Sequence, residues 1–301
     1  MIGNKLSKYL TPVFIISIMM GSPAPAQAWG NKGHQIIARI AMPRLSVNAR
    51  QMVAELLEPG ETLENVAGWA DQIRKEGPDT RSWHFVPIPL TDKVYSVNQH
   101  CARTELCIIQ ALEEQIKALK NTENDPQTRA VALKYVVHLI GDLHQPFHVT
   151  TNTNPPDLNA NRVKLTSLSG RVTNLHEVWD SDLVDYGLKR SNKSVGDYAS
   201  LLSKTYGSNS SALTRGTITS WALEAHEQAW TAYYSPYDHF MVADQRAWVL
   251  NQFYYDKNLK IAEMQFVRAG MRLAKTLNDL SVSRPAYKAS TVAKKSRHPR
   301  V

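Results

Sequence analysis

The sequence predicts an all-α protein with a single bundle-like helical domain. Along most of the 301-residue chain, apolar residues recur at three- and four-residue steps, as they do on one face of an amphipathic helix. No block of alternating, strand-like segments competes with this pattern. Residues 29–283 contain neither a repeat nor a linker-like stretch, and a chain of this length can bury one large core. We therefore expect one domain over residues 29–283.

Residues 1–28 have the layout of a secretory signal peptide. A basic start is followed by an apolar run over residues 9–20, which is too short to span a membrane. The segment Ala26-Gln27-Ala28 is a small-x-small cleavage site. We expect cleavage there, export to a secreted or periplasmic location, a mature chain that starts at Trp29, and no stable membrane association. An uncleaved anchor is the alternative.

The net charge of +8 is concentrated at the two ends of the chain. Residues 29–283 hold 27 basic and 27 acidic residues, so the expected domain is formally neutral. Residues 284–301 hold six basic residues and no acidic one. We predict that this tail is disordered and solvated, although a basic tail could also hold a polyanion loosely.

Two cysteines, Cys101 and Cys107, lie close together in the sequence. Because we expect export to an oxidising compartment, this pair predicts a disulfide bond. Closure of so small a loop would contribute about 2 kcal/mol of stability. Two free buried thiols are the alternative.

Helix start and stop signals divide the chain into elements. The apolar stripe after Trp29 ends at Pro43, and Ser46 is the expected N-cap of a second helix, which Pro59-Gly60 terminates. Helical patterns follow over residues 66–73, 104–119 and 130–140, from residue 175 onward, and over residues 218–234, 240–255 and 259–280.

Three stretches do not have helical patterns. Residues 83–90 are punctuated by proline, which indicates extended backbone, and residues 150–161 have the composition of a surface loop. Residues 162–172 alternate weakly and could form a small β-hairpin with Gly170 at its turn.

The segment His138–His148, which has the sequence HLIGDLHQPFH, concentrates residues that bind metals. On a helix, His138 and Asp142 project from the same face, one turn apart. Pro146 ends or kinks that helix and turns His148 to a different direction. Two imidazoles and a carboxylate arranged in this way can surround a zinc ion. The alternative is a helix end whose histidines are satisfied by hydrogen bonds.

A second helical pair repeats this spacing. The segment NLHEVWD places His176 and Asp180 four residues apart, again on one helix face. Asp71 and His84 are further candidate ligands. Taken singly, each of these residues could instead have an ordinary structural role.

The expected new N-terminus offers another way to bind a metal. The free α-amine and the carbonyl oxygen of Trp29 could chelate an ion in a five-membered ring, provided that the indole is held in the core. His34 lies five residues further on and could reach the same ion. The alternative is that both residues simply begin a helix.

Taken together, these motifs resemble one known family. The motifs are Trp29-x4-His34, Trp69-Ala70-Asp71-x2-Arg74, Trp83-His84-Phe85, His138-x3-Asp142-x-His144-Gln145-Pro146-x-His148, Asn174-Leu175-His176-x2-Trp179-Asp180 and Gly270-x-Arg272-Leu273-Ala274. In this order they resemble the zinc-dependent single-strand-specific nucleases of fungi and the bifunctional nucleases of plants, within the nuclease/phospholipase C superfamily. The resemblance extends from Trp29 to about residue 280, and the tail matches nothing in that family.

The resemblance implies a cluster of three zinc ions in a cleft. Asp71, His84, His138 and Asp142 would hold one ion. Trp29 and His34 would hold a second ion, which Asp142 bridges to the first. The third ion would be held by the set His148, His176 and Asp180. His144 lies outside the family's ligand set and would have a supporting or helix-terminal role.

The resemblance also implies the reaction. A monomeric enzyme would hydrolyse single-stranded DNA and RNA to 5′-phosphate products, and also 3′-nucleotides, by means of water activated between two zinc ions. Asp71, Arg74 and Asp142 would be the catalytic residues, with Arg74 facing the phosphate. A secreted phospholipase C and a non-catalytic zinc-binding exported protein are the alternatives.

One departure from the family pattern concerns substrate contacts. The family usually has Gly-Gly-Asn in the loop before the Asn-Leu-His motif, whereas this chain has Asn159-Ala160-Asn161. Base preference therefore stays open.

Overall fold

The structure, a computed structural model, describes residues 29–74, 76–101, 105–151, 162–165, 172–234 and 248–282. Helices dominate this part of the chain, so the all-α prediction is confirmed. The helices are α1 (Asn31–Ala41), α2 (Val47–Leu56), α3 (Trp69–Ile73), α4 (Val97–His100), α5 (Ile108–Lys120), α6 (Pro126–Leu143), α7 (Leu175–Glu177), α8 (Leu183–Ser191), α9 (Val195–Tyr206), α10 (Ser210–Leu213), α11 (Ile218–Tyr234) and α12 (Gln252–Ser281). The strands are β1 (Arg162–Leu165), β2 (Val172–Asn174) and β3 (Trp248–Leu250).

The longest helix, α12, forms the spine of the bundle. Its 30 residues extend for about 45 Å at the usual helical rise, which is enough to cross a small domain. Phe266, Leu273 and Leu277 recur at helical spacing along it and are fully buried. The helix packs against α1, α2, α6, α8 and α9, so most of the core is built around it.

Helix α6 lies in the interior and carries two of the predicted ligands. Asp125 caps its N-terminus by accepting a hydrogen bond from the Thr128 backbone N–H at 2.9 Å, and Pro126 occupies the first turn, where no backbone donor is needed. The helix is buried on nearly all sides, which is typical of a core helix rather than a surface helix. Its C-terminal end therefore places side chains inside the protein.

Three short strands form a small sheet in the order β2-β1-β3. Strand β1 pairs antiparallel with β2, with Val163 opposite Thr173, in the segment where a hairpin was expected. The predicted turn residue Gly170 lies outside the described residues.

The predicted helix over residues 240–255 is wrong at Trp248–Leu250. These residues form β3, which pairs parallel with β1. A short apolar run can satisfy either the helical or the strand period, and here pairing with a neighbouring backbone decides the outcome. Helix α12 begins only at Gln252, where the Asn251 side chain caps it by accepting from the Tyr254 N–H.

A second correction concerns residues 83–90. His84 ends a 3-10 turn, Arg81–His84, and the backbone is extended only after it.

Further along the chain, Cys101 and Cys107 form the predicted disulfide, with Cα atoms 5.5 Å apart.

The expected signal peptide and the basic tail lie outside the described residues. Among the helices that the structure describes, none combines the length and apolar composition needed to cross a membrane.

Candidate metal centre

The fold brings the side chains of eight predicted ligands together from distant parts of the chain, and the ninth residue, Trp29, lies next to them. They lie in or beside α1, α3, the Arg81–His84 turn, α6, the Pro146–His148 turn, α7 and the π-helical turn Val178–Asp182. None has more than 4% of its surface exposed; they are Trp29, His34, Asp71, His84, His138, Asp142, His148, His176 and Asp180. So many ionisable side chains are rarely buried together without a binding partner.

Four of these side chains form a tight group that we call the α6 group: Asp71, His84, His138 and Asp142. His84 Nδ1 and His138 Nε2 are 3.2 Å apart, and they lie 2.9 and 3.1 Å from Asp142 Oδ2. Asp71 Oδ1 is 3.8 Å from each of the two ring nitrogens. Ligand atoms around a tetrahedral zinc ion are separated by about 3.3 Å, given bonds of about 2.0 Å. The α6 group therefore has the spacing of a coordination shell.

The histidine tautomers favour the same interpretation. His138 Nδ1 lies 2.7 Å from the Ala67 carbonyl oxygen, and His148 Nδ1 lies 2.7 Å from the His84 carbonyl oxygen. A carbonyl oxygen only accepts, so Nδ1 is the donor in both rings, and each ring in its neutral form has its lone pair on Nε2. Burial opposes the charged form of His138, but Asp142 and Asp71 outweigh it and raise the pKa of His138 to about 9, and a cation on Nε2 would replace that proton. Metal-binding histidines are commonly oriented by such a hydrogen bond.

His34 approaches the α6 group from α1. Its Nε2 is 3.1 Å from Asp142 Oδ1, and its ring stacks on that of His138 with 4.0 Å between the centroids. The two carboxylate oxygens of Asp142 thus face different histidines, Oδ2 toward the α6 group and Oδ1 toward His34. This arrangement is what a bridging carboxylate requires.

Gly141 makes the approach of His34 possible, and sequence reasoning missed it. A Cβ atom at this position would lie 2.6 Å from His34 Nδ1, which is too close for any real contact. A glycine inside a helix costs about 1 kcal/mol relative to alanine, so an isolated one within a strong helical pattern was a usable signal.

The other three ligand candidates, His148, His176 and Asp180, form what we call the α7 group. His148 Nε2 lies 3.6 Å from Asp180 Oδ1, and His176 Nε2 lies 3.4 Å from Asp180 Oδ2. Asp180 is in the π-helical turn, an irregularity that frequently occurs at functional sites. Within the described part of the chain, neither His148 Nε2 nor Asp180 Oδ2 makes a hydrogen bond, although both atoms are buried. Such atoms are exceptional in proteins, and a bound cation would satisfy them.

Taken together, the side chains offer three triplets whose ligand atoms lie within 4.8 Å of one another, each able to hold a metal ion: His34, Asp71 and His138; His84, His138 and Asp142; His148, His176 and Asp180. All the ligand atoms are nitrogen or oxygen, and this donor set suits zinc. The first two triplets share His138, whose Nε2 can bind one ion, so the triplets define at least two separate cation positions. The residues present therefore fit a cluster of cations.

The charges in the cluster are strongly perturbed. Burial, reinforced by the charge of His138, lowers the pKa of His34 to about 4, which leaves this imidazole neutral. Burial raises the pKa of Asp180 to about 8. Burial also acts on Asp142, but the neighbouring histidines outweigh it and hold the pKa of that carboxyl well below its usual range. A bound cation would favour the charged form of both carboxylates.

Arg74 and Trp29 lie at the edges of the cluster. The Arg74 Nη2 atom is 3.4 Å from Asp71 Oδ1, and only 9% of this side chain is exposed. The Trp29 indole is fully buried, with its ring centroid 4.4 Å from that of Phe266. The next residue, Gly30, donates its N–H to the Asp180 carbonyl oxygen at 2.6 Å. The start of α1 is thereby fixed beside the α7 group.

His144 points away from the cluster although it belongs to the same motif. Its Nε2 accepts a hydrogen bond from Arg272 Nη1 at 2.8 Å, and its Nδ1 donates to the Ile140 carbonyl oxygen at 2.7 Å. Burial and the charge of Arg272 hold the pKa of His144 well below its usual value. The structure thus places His144 at the end of α6, as a neutral ring that links this helix to α12.

Comparison with known proteins decides the family. Residues 29–281 match the family described as S1/P1 Nuclease. The chain belongs to this family. It is 29% identical to Nuclease S1 of Aspergillus oryzae, with 86% of this chain and 93% of that protein covered. It is 26% identical to Nuclease P1 of Penicillium citrinum, with 84% and 97% covered. It is 25% identical to Endonuclease 3 of Arabidopsis thaliana, with 92% and 96% covered.

The resemblance inferred from the motifs is thus confirmed. In this member of the S1/P1 nuclease family, the side chains of the predicted ligands lie in one cluster, with the backbone of Gly30 joining Trp29 to it. The metal that the cluster holds, the number of ions and the role of each residue stay predictions.

Proposed function

We propose that this protein is a zinc-dependent endonuclease that hydrolyses single-stranded DNA and RNA to 5′-phosphate products and also acts on 3′-nucleotides. Membership of the S1/P1 nuclease family supports a nuclease. The observation that carries the zinc-dependent reaction is the position of Asp142, whose two oxygens each face a different histidine at about 3 Å. This position suits a carboxylate that bridges two cations.

Three zinc ions per chain would be distributed over the cluster. Asp71, His84, His138 and Asp142 would hold the first, and the α7 group would hold the third. Trp29, His34 and Asp142 would hold the second. Bound zinc would lower the pKa of coordinated water to about 7 and would neutralise charge on the phosphodiester.

The chain's own groups would position the substrate and balance its charge. Asp142 would set the separation of two metal positions, and Asp71 would orient the first of them while holding Arg74 beside it. The Arg74 guanidinium could donate two parallel hydrogen bonds to phosphoryl oxygens, where negative charge increases in the transition state. No protein nucleophile is needed for this reaction.

We also propose that export prepares the site. Cleavage after Ala28 would free the α-amine of Trp29, and the buried indole would hold that amine in place. A residue left before Trp29 would turn the amine into an amide, which keeps its proton at neutral pH and is a poor zinc ligand.

The proposal is tested by parallel digestion of single-stranded DNA, double-stranded DNA, RNA, a 3′-nucleotide and phosphatidylcholine, with and without a chelator. We expect cleavage of the single-stranded polymers to 5′-phosphate ends, release of phosphate from the 3′-nucleotide, and loss of both activities in the chelator. Cleavage of phosphatidylcholine alone would instead show a phospholipase C, and zinc binding without any hydrolysis would show a sequestering protein.

The chain offers a matched pair of control variants. His138 and His100 are both buried, but His100 contacts Asp92 and Ser96 rather than the cluster. We expect His138→Asn to abolish zinc-dependent cleavage and His100→Asn to retain it. Equal losses in two folded variants would place the activity elsewhere.

A further inference from the structure

Gln145 connects the two halves of the cluster, and neither the sequence motifs nor the family resemblance gives it a role. Its backbone N–H donates to the Asp142 carbonyl oxygen at 2.9 Å, and its own carbonyl accepts from the His148 N–H at 2.9 Å. The residue therefore lies in the short turn between a ligand of the α6 group and a ligand of the α7 group. It is fully buried.

The side chain of Gln145 reaches a third predicted ligand. Its Nε2 donates to Asp180 Oδ1 at 2.6 Å, across 35 positions in the sequence. Its Oε1 accepts from the Phe147 N–H at 2.6 Å. Because a backbone N–H can only donate, that contact fixes which end of the amide is oxygen. The NH₂ group must then point at Asp180.

Because of this contact, the two oxygens of Asp180 differ in their hydrogen bonding. Oδ1 receives the amide hydrogen bond, whereas Oδ2 makes no hydrogen bond within the described residues and lies 3.4 Å from His176 Nε2. An uncharged donor is suited to this position, because it orients the carboxylate without competing for a cation as another carboxylate would.

We propose that Gln145 is a positioning residue that holds Asp180 with Oδ2 turned toward His176, and so sets the affinity of the α7 group for its metal ion. The inference rests on the proposed zinc-dependent function. It adds to that function a specific dependence: the zinc ion of the α7 group should be weakened by a change at Gln145, while the zinc of the α6 group should not. Loss of a hydrogen-bonding partner of a metal ligand typically costs about 10- to 100-fold in metal affinity.

The test is zinc stoichiometry and affinity, measured by competition with a chromogenic chelator, on the full mature chain. Gln145→Met keeps the length of the side chain and removes the amide. Gln145→Asn keeps the amide but withdraws it from Asp180, and it serves if the methionine variant does not fold. Gln110→Met is the matched control, because Gln110 Oε1 accepts from the Cys107 N–H at 3.4 Å and Cys107 is not a predicted ligand.

We expect one zinc of the three to be released at a chelator concentration about 10- to 100-fold lower than in the wild type, with the other two unchanged. The Gln110→Met control should release all its zinc as the wild type does. In an Asp180→Asn background, Gln145→Met should weaken zinc binding no further, because the group that it orients is already altered.

The outcomes separate this inference from the proposed function. Wild-type protein that binds no zinc would overturn both. Wild-type protein with three zinc ions, and a folded Gln145→Met variant that releases them at the same chelator concentrations, would overturn the positioning role alone. Equal weakening of all three ions would also overturn it, because the effect would then be a general loss of structure.

Discussion

Two buried polar centres in the described part of the chain, one around Arg272 and the other the His/Asp cluster, differ in whether the chain itself satisfies them. Around Arg272, every guanidinium nitrogen has a partner: Nε donates to the Leu213 carbonyl oxygen, Nη1 to His144 and Nη2 to Glu224. The guanidinium also lies 5.0 Å from the centre of the Trp221 ring. In the His/Asp cluster, by contrast, buried acceptor atoms face one another at about 3 to 4 Å, and some have no hydrogen-bond donor among the described residues.

This difference separates structural from functional burial. A closed network such as that of Arg272 can be explained by folding alone, because its charges and hydrogen bonds are matched. A group of lone pairs that converge without donors suits an external cation. His144 and His148 are only four residues apart in one motif, yet His144 lies in the Arg272 network and His148 lies in the His/Asp cluster.

The largest effect should come from Asp142, whose two carboxylate oxygens face different histidines within the His/Asp cluster. We expect Asp142→Asn to reduce turnover by more than about 100-fold, and more than Asp180→Asn does, because Asp142 faces two predicted metal positions and Asp180 faces one. Turnover of single-stranded DNA should be compared at matched zinc occupancy. Equal losses in the two variants would show that the bridging role is wrongly assigned.

A somewhat smaller effect is expected at Arg74. Arg74→Ala should lower turnover by roughly 10²-fold with zinc content intact, which is the scale for loss of one charge-stabilising group. Arg74→Lys should recover only part of the activity, since an ammonium cannot reproduce the planar fork of a guanidinium. Kinetics combined with metal analysis measures both quantities. A fully active Arg74→Ala variant would exclude Arg74 from the mechanism.

Extension of the mature N-terminus should have a partial effect. A protein that begins Met-Trp29 should fold, lack roughly one zinc ion and lose activity on the order of tenfold, because the predicted amine ligand becomes an amide. Proteolytic release of the free Trp29 terminus should restore both zinc and activity. If the extended form binds as much zinc and is equally active, the N-terminal ligand assignment is wrong.

The smallest effect on zinc binding should come from a change at Arg272. Arg272→Met should destabilise the fold by about 2–3 kcal/mol, less than the roughly 3–5 kcal/mol for a fully buried pair, because Glu224 is 41% exposed and can turn to solvent. Zinc stoichiometry of the folded fraction should match that of the wild type. Denaturation curves and metal analysis distinguish the two quantities, and a selective loss of zinc would contradict the distinction between the two centres.

The sequence predicted most of the helices because their signals are local. Ser46 caps α2 as expected, accepting from the Ala49 N–H, and the helix over residues 218–234 was predicted with its exact bounds. Strand β3 was missed because its pairing partner, β1, lies more than 80 positions away in the chain. Such a contact leaves no mark on a local hydrophobic period.

The ligand candidates could be identified from the sequence because metal-binding side chains are few and their motifs are characteristic. Gly141 and Gln145 could not be identified in this way. Gly141 acts through the absence of a side chain, and Gln145 acts on a ligand in another segment. The direction of His144 follows from geometry: at about 100° per residue, it lies on nearly the opposite side of α6 from Asp142. The partner that His144 meets in that direction, Arg272, is known only from the structure.

The most direct test of the account is metal analysis of the mature, active protein combined with chelation. We expect about three zinc ions per chain, loss of single-strand cleavage in the chelator, a lower melting temperature of the stripped protein, and recovery when zinc is restored, because the ligands come from distant segments that the metal would cross-link. Active protein that contains one zinc ion or none, or that melts at the same temperature after stripping, would contradict the assignment of the His/Asp cluster as a trinuclear zinc site.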